Sequence, residues 1–243
     1  MIISGVKLTN VGYVSDTPPI VTAGIYANYD PATSISGSTL LDSSGNGFNA
    51  TLYNNPTTAT VNGRTVLRLT AASSQYYVYD NGYGTDLNNA FTFDVWARNL
   101  SAGAGGILIS EWDNPNASVS GWTDDQMGFS TGTINMGVYN TGYVTGPGWS
   151  SSNWYHIVMC YDVNVSPTLQ TYVNGVFVGS TDGAKGSPGN TFLTMGAAGN
   201  DYIGIINIPY FNGYVGAWKI YNRALTANEV SQNFAAFRAR YGV

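Results

Sequence analysis

The chain has 243 residues, of which 44% are hydrophobic and only 9% are charged, with a formal net charge of −5 at neutral pH. This length allows one large domain, such as an all-β sandwich, or two small ones. The nine lysine and arginine residues are scattered rather than clustered, and no apolar stretch approaches the ~20 residues of a membrane-spanning helix, so we expect neither a nucleic-acid nor a membrane partner.

The first twenty residues are predicted to form an arm or linker ahead of a folded domain at residues 21–243. Pro18 and Pro19 cannot donate hydrogen bonds to a sheet and favour extended chain. The apolar residues before them lack helical spacing, and the apolar core of a secretory signal peptide is absent from this segment. We expect the arm to attach the domain to another subunit; the alternative is an ordinary edge strand of the domain's own sheet.

The rest of the chain has the pattern of short strands separated by turns. Alternating, β-branched and aromatic runs predict strands from "TAGIYANYD" (22–30) through "AFTFDVWAR" (90–98) and "NWYHIVMCYD" to "YFNGYVGAWKIYN", and residues 113–125 are predicted to form a long polar loop. Asn174-Gly175 between two alternating runs predicts a hairpin turn. Roughly a dozen short strands with turn signals indicate a β-sandwich or jelly roll.

One helix is predicted, at the end of the chain. Thr226 and Glu229 fit the capping box that satisfies the free amides at a helix start, and Gly242 is suited to end the helix. Apolar residues then recur at helical spacing, and these are Val230, Phe234 and Phe237. We expect this apolar stripe to pack against the outside or an edge of the sandwich.

Several segments, taken together, are characteristic of one superfamily in their order and spacing. They are "DSSGNGFNATL", "FTFDVWAR", "GGILISEW", "WYHIVMCYD", "TYVNGVFVGS" and "YFNGYVGAWKIYNRALTANEV". The chain resembles, from about residue 22 to about residue 240, the laminin G-like, concanavalin A-like lectin/glucanase superfamily. The ending "QNFAAFRARYG" also resembles the C-terminus of such domains in structural proteins of tailed phages. The resemblance implies an all-β, two-sheet antiparallel jelly-roll sandwich with one short C-terminal helix.

The carboxylates needed for glycoside hydrolysis are incomplete in the sequence. Hydrolysis needs two positioned carboxylates, and the resemblance implies that glucanases would carry them on one strand as Glu-x-Asp-x-x-Glu. "EWD" at 111–113 matches the first half of this motif, but proline and asparagine follow at 115–116, and the remaining glutamate, Glu229, is assigned to the helix cap. We therefore expect that the chain is not an enzyme, with a glucanase-like hydrolase as the less favoured alternative.

Metal-binding chemistry is also sparse. The single histidine, His156, and the single cysteine, Cys160, lie in one strand pattern, and both are expected in the core. The loop "DSSGNG" offers Asp42 and turn carbonyls, and similar loops carry calcium in the relatives that the resemblance implies. The alternative is an Asx/Gly turn without metal, and no other cofactor is expected.

Carbohydrate binding is predicted on the rim loops of the sandwich, where aromatic platforms and polar side chains occur in such folds. The candidates share an aromatic ring or a carboxylate on a predicted exposed loop, and they are Trp112, Asp113, Trp122, Asp124, Asp125, Tyr143 and Trp149. Each of these side chains could equally anchor a protein–protein interface.

The composition is typical of an extracellular adhesion module, yet the chain starts at Met1 without an export signal. A virion protein combines these properties, because it assembles in the host cytoplasm and becomes extracellular after lysis. We therefore expect a non-catalytic virion structural protein, such as a capsid decoration, head fibre or tail component. It would form a homo-oligomer, dock on other virion subunits and bind surface glycans. The alternative is a free carbohydrate-binding lectin.

Overall fold

A computed structural model describes residues 18–79, 87–112, 123–138, 143–185, 192–197 and 210–243. These residues form two antiparallel sheets packed as a sandwich and one C-terminal helix, which confirms the predicted fold class. The predicted arm lies outside the described residues up to residue 17. Within the described residues, no helix is both long and apolar enough to cross a membrane.

The elements follow one another in short, closely spaced segments. In chain order the strands are β1 (Ile25–Tyr29), β2 (Ile35–Ser36), β3 (Thr39–Leu40), β4 (Ala50–Tyr53), β5 (Thr57–Val61), β6 (Arg64–Leu69), β7 (Tyr76–Tyr79), β8 (Ala90–Asn99), β9 (Gly106–Trp112), β10 (Thr123–Phe129), β11 (Thr133–Gly137), β12 (Tyr143–Gly148), β13 (Tyr155–Asp162), β14 (Leu169–Val173), β15 (Val176–Thr181), β16 (Phe192–Met195) and β17 (Gly213–Tyr221). A short 3-10 helix spans Ala71–Ser73, and helix α1 spans Ala227–Tyr241.

The strands divide into two sheets, here called sheet A and sheet B. Over the described residues, sheet A has eight strands in the order β15-β14-β13-β8-β17-β6-β5, with β1 also paired to β17. The part of sheet B that the structure describes has nine strands in the order β12-β11-β10-β9-β16-β7-β4-β3-β2. Strand β10 already begins at Thr123, so the long loop predicted for 113–125 is wrong at its C-terminal end.

The main core lies between the sheets and follows the alternation of the strands. In β8, Phe91, Phe93 and Val95 are fully buried members of this core, as the sequence pattern predicts. The intervening residues face the outside of sheet A, since successive side chains of a strand point to opposite faces. They are also buried, with Asp94 and Trp96 completely inaccessible. Helix α1 covers this outer face, so the middle of sheet A is buried on both sides.

Helix α1 begins and ends as its sequence predicts. The Thr226 side chain accepts a hydrogen bond from the Glu229 amide, and the Glu229 carboxylate accepts one from the Thr226 amide. Arg223 also contacts the Glu229 carboxylate, and these contacts, Arg223 first, lower the pKa of Glu229 to about 2 although burial opposes the shift. Gly242 ends the helix with a φ of 74°, a left-handed conformation that glycine adopts without strain.

The buried face of α1 differs from the predicted apolar stripe. Val230 is fully buried, but Phe234 and Phe237 are only half-buried. Asn233 and Tyr241 are buried instead. The physical reason is that sheet A presents charged groups to the helix, so a polar side chain must face them.

A buried polar network, here called the Asp94 network, joins sheet A to the helix. Asn233 Nδ2 donates to Asp94 Oδ2 at 2.8 Å. His156 Nε2 lies 3.1 Å and Lys219 Nζ 3.7 Å from Asp94 Oδ1. Burial opposes ionisation of Asp94, but Lys219 and His156 hold its pKa below the usual range. Because β8, β13, β17 and α1 each contribute one member, the network fixes the helix on the sheet.

The same asparagine ties the start of the described chain to the helix. The Val21 amide donates to Asn233 Oδ1 at 2.8 Å, and the Tyr221 hydroxyl accepts from Asn233 Nδ2 at 2.9 Å. Gln232 Nε2 donates to the Pro19 carbonyl at 2.7 Å. The chain is therefore anchored to α1 from residue 19 onward.

We predict that Asn233→Ala lowers the free energy of unfolding by about 2–4 kcal/mol, because a buried carboxylate oxygen, an amide and a hydroxyl all lose a partner. Urea denaturation measures this change. The exposed neighbour Ser231→Ala is the matched control and should stay within about 0.5 kcal/mol of the parent protein. A small, equal effect of both substitutions would mean that the helix does not depend on the Asp94 network.

Candidate functional site

The outer face of sheet B is identified by strand alternation. Met136 in β11 and Val144 in β12 belong to the core between the sheets. Gly137 and Tyr143, their neighbours along the strands, therefore lie on the opposite, outer face. Gly137 and Tyr143 are also directly paired across the two strands.

A row of paired residues extends from Tyr143 across this outer face. Gly137 pairs with Gln126, Gln126 with Ser110, and Ser110 with Thr194. Gln126, Ser110 and Thr194 are fully buried, whereas Tyr143 is 42% exposed. The row thus combines one accessible aromatic ring with amide and hydroxyl groups on neighbouring strands.

The structure places part of the predicted site at one end of sheet B. Trp112 is the last residue of β9, where it pairs with Phe192 and with Thr123. Asp124 lies in the first part of β10. Asp113 and Trp122 lie outside the described residues. Strand register therefore brings Trp112, Asp124 and Tyr143 to the same end of the sheet.

Trp149 does not belong to this group. It follows the far end of β12, six strand residues after Tyr143. It is half-buried and packs edge-on against Phe129 of the core, with ring centroids 5.3 Å apart. Its indole N–H donates to the Ser130 carbonyl at 2.8 Å. The prediction of an exposed loop position is therefore wrong for Trp149, whose ring and donor serve packing.

Asp125 is also not on an exposed loop, because it is fully buried in β10. Lys185 Nζ lies 3.0 Å from Asp125 Oδ2 and 2.7 Å from Glu111 Oε2. The ammonium also lies 5.2 Å from the centroid of the Phe91 ring, and the Lys185 amide donates to the Tyr161 hydroxyl at 3.3 Å. We call Glu111, Asp125 and Lys185 the charged triad; it closes the inter-sheet core at the end where Tyr143 lies.

The electrostatics of the charged triad follow from its burial. Burial, and then the neighbouring Asp125, raise the pKa of Glu111 well above its usual value. Burial lowers the pKa of Lys185, but Asp125 and Glu111 outweigh it and raise that pKa. One cation thus compensates two carboxylates. The sequence pattern did not reveal the triad, because a lone lysine in a glycine-rich segment gives no sign of partners about 60 and 75 residues away.

We predict that Lys185→Met destabilises the protein by about 3–5 kcal/mol at pH 7, since it leaves two buried carboxylates without their cation. Burial already holds the folded-state pKa of Glu111 above its unfolded value near 4, and loss of the cation raises it further. The loss is therefore largest at neutral pH and shrinks as the pH falls through the folded-state pKa of Glu111 toward about 4. Thermal melting of both proteins across this range measures the difference.

The matched control is the double variant Lys185→Met/Glu111→Gln, which also removes one of the two carboxylates that have lost their cation. It should recover part of the stability lost at pH 7. An equal loss at pH 4 and pH 7, with no recovery in the double variant, would show that Lys185 contributes packing rather than charge.

Asp42, the predicted calcium ligand, organises its own loop. Its Oδ1 accepts hydrogen bonds from the amides of Asn28 and Ser44, each at 2.8 Å. Its Oδ2 accepts from the Ser44 hydroxyl at 2.6 Å and the Phe48 amide at 3.1 Å. Four donors therefore contact the carboxylate, an arrangement typical of the Asx-turn alternative. Calcium binding at Asp42 stays a prediction. Among the described residues, no group of three His, Cys, Asp or Glu side chains could hold a metal.

Comparison with known proteins identifies the superfamily. The family model of the concanavalin A-like lectin/glucanases superfamily matches residues 70–231, which is more than half of the chain. The chain therefore belongs to this superfamily. A comparison with curated protein sequences finds no match.

Solved structures of similar fold include enzymes and binding domains. A Trypanosoma rangeli sialidase in complex with 2,3-difluorosialic acid is 14% identical, with 89% of this chain and 33% of that chain covered and a TM-score of 0.66. Domain 4 of AbnA, a GH43 extracellular arabinanase from Geobacillus stearothermophilus, in complex with arabinotriose, is 17% identical. The match covers 87% of this chain and 98% of that domain, with a TM-score of 0.61. The binding domain of botulinum neurotoxin DC in complex with SialylT is 14% identical, and the match covers 88% of this chain and 51% of that chain, with a TM-score of 0.61. The chain spans about a third of the length of the sialidases that it matches.

These likenesses correct the prediction that the chain is not an enzyme. The prediction is contradicted because chains of glycoside hydrolases, sialidases and an arabinanase, are among the structures that share the fold. At 14–17% identity they show the fold alone, and the fold also occurs in non-enzymatic lectin domains.

Proposed function

We propose that this member of the superfamily is a carbohydrate-binding virion structural protein, a capsid decoration, head fibre or tail component that docks on neighbouring subunits and binds surface glycans. The observation that carries the binding function is the exposed ring of Tyr143, in register with a polar row on the outer face of sheet B.

The chemistry of this surface suits a sugar. A tyrosine offers an apolar ring face for the C–H groups of a pyranose and a hydroxyl for its polar edge. The paired row behind Tyr143, with Gln126, Ser110 and Thr194, is fully buried and supports the strand that carries the ring. Because these three are buried, Tyr143 makes the first contact with a ligand. Trp112 and Asp124 are proposed to extend the site at the same end, and Asp113 and Trp122 stay predicted members of it.

The size of the domain supports a binding role. AbnA domain 4, whose structure contains arabinotriose, is matched over 98% of its length and 87% of this chain. A sandwich of this extent is therefore sufficient to form a carbohydrate complex in that protein. Such a role does not depend on whether this chain also cleaves the sugar that it binds.

We predict that Tyr143→Ala reduces glycan affinity about tenfold, because burial of an apolar ring against a ligand contributes roughly 1.5 kcal/mol, and 1.4 kcal/mol is a factor of ten. A glycan array identifies the bound sugar, and titration calorimetry compares the variants. Chromatography of the recovered sugar shows in the same experiment whether it was cleaved.

Phe177→Ala is the matched control, since Phe177 is a 52% exposed aromatic residue on sheet A. It should retain the affinity of the parent protein. An equal loss in both variants, or full retention in Tyr143→Ala, would remove sheet B as the binding face.

The proposal of a virion location rests on the C-terminal segment. "QNFAAFRARYG" resembles the ends of such domains in tailed-phage structural proteins, and it forms most of α1 and its glycine cap. The apolar residues of the predicted arm favour attachment to another subunit. A free lectin is the alternative, and the two differ in whether the protein travels with a particle.

We predict that mass spectrometry of purified particles detects this chain in fixed stoichiometry. Deletion of residues 2–17 should abolish incorporation with little change in the melting temperature, because the contacts of Pro19 and Val21 with α1 are kept. A chain found only in the particle-free fraction would favour the free lectin. A deletion variant that assembles normally would contradict the arm.

A further inference from the structure

A second candidate site lies on the outer face of sheet A, beside the C-terminal end of α1. The described residues there enclose a cavity of about 300 Å³, lined among others by Arg98, Asn153, Trp154, Asn174 and Tyr241. Arg98 is the ninth residue of β8, whereas Phe91, which contacts the charged triad near Tyr143, is the second. Seven strand steps correspond to about 23 Å. The cavity is therefore separate from the surface around Tyr143 and faces the opposite end of the sandwich.

Arg98 is the one charged side chain among the described residues that line the cavity, and Val243 also lies at its wall. Arg98 Nε donates to the Ser151 carbonyl at 2.7 Å, which fixes the orientation of the guanidinium. Among the described residues, no carboxylate forms a salt bridge with Arg98, and no Asp or Glu side chain lines the cavity. In a chain of net charge −5, a half-buried guanidinium without a carboxylate is an available partner for an anion.

The amide groups around Arg98 have their acceptors occupied. Asn174 Oδ1 accepts from the His156 amide at 2.9 Å. Asn153 Oδ1 accepts from the Ser152 hydroxyl at 3.1 Å. Each side chain therefore keeps its NH₂ group for a ligand. Together with the outer nitrogens of Arg98, these groups make the lining a set of hydrogen-bond donors.

The floor of the cavity is aromatic and rigid. The rings of Trp154 and Tyr241 lie 4.7 Å apart, and both residues are nearly inaccessible. The Tyr241 hydroxyl accepts from the Ala217 amide at 2.6 Å, which holds the ring on β17. A ligand thus meets a preformed surface and does not have to order it.

We propose that this cavity binds a sugar unit that carries a carboxylate, as a uronic acid does. The proposal rests on the carbohydrate-binding function proposed above and assigns a second site with its own ligand class. The carboxylate pairs with the two outer nitrogens of Arg98, a geometry that the planar guanidinium favours. The amides of Asn153 and Asn174 donate to the remaining oxygens of the sugar. Trp154 and Tyr241, which are nearly inaccessible, hold the floor beneath the sugar rigid.

The test compares three probes by titration calorimetry or ligand-observed NMR: sodium D-glucuronate, its methyl ester and D-glucose. We expect glucuronate to bind the parent protein at least about tenfold more tightly than either neutral probe, the usual scale of one charge-assisted pair. Arg98→Gln should abolish this preference. Arg98→Lys should keep only part of the preference, because lysine keeps the positive charge but lacks the planar guanidinium that pairs with both carboxylate oxygens.

Arg64→Gln is the matched control, since Arg64 is exposed, stands two residues along the chain from the lining residue Asn62 and does not itself line the cavity. The Arg64→Gln variant should keep the preference for glucuronate over the neutral probes. If this variant also lost the preference, the overall charge of the protein and not the Arg98 site would explain it, and the site would be overturned. Inorganic phosphate that binds as tightly as glucuronate would overturn recognition of a sugar. No binding of glucuronate by a parent protein that still binds neutral glycans through Tyr143 would overturn the cavity proposal alone. Tyr143→Ala should leave glucuronate binding unchanged.

Discussion

The buried carboxylate of Asp94 is the constraint on which the arrangement of sheet A and its helix depends. A charge with no access to water is stable only when it is paired and hydrogen-bonded. His156, Lys219 and Asn233 supply these contacts from two other strands and the helix. The helix can therefore sit in only one register on the sheet, and that register places Tyr241 beside Trp154.

The two ends of the sandwich are built by different means. At the end near Tyr143, the charged triad closes the core with one cation between two carboxylates. At the other end, Arg98 stands without a carboxylate partner among the described residues. In the first arrangement the charged side chains pair with one another and stabilise the fold. The second leaves charge available to a ligand, which is why we assign recognition of an acidic sugar to it.

Much of the fold followed from local patterns in the sequence. The alternation in 90–98 predicted which face of β8 enters the core, and Thr226 with Glu229 predicted the helix start. These signals are local, because they depend on residues a few positions apart. The prediction of the buried helix face was less accurate. Asn233 is buried because it donates a hydrogen bond to the Asp94 carboxylate on β8, and helical periodicity does not reveal such a partner.

The candidate sites were harder to predict, since they depend on contacts between distant segments. Tyr143 was selected by residue type, and so were Asp125, which is buried in β10, and Trp149, which packs against the core just after β12. The Arg98 cavity gave no local signal, because the residues that line it come from β8, from separate turns and from the helix end. The expectation of a chain without enzymatic activity rested on a missing motif, and the hydrolases that share the fold show that such an absence decides little.

The central claim is that this superfamily member binds carbohydrate at defined surfaces of its sandwich. A crystal structure of the protein with an oligosaccharide that contains both neutral and uronic acid units tests it most directly. We predict sugar density against Tyr143 on the outer face of sheet B, and a carboxylate paired with Arg98 in the cavity beside α1. Sugar bound only at other surfaces, or no sugar at a saturating concentration, would contradict the account.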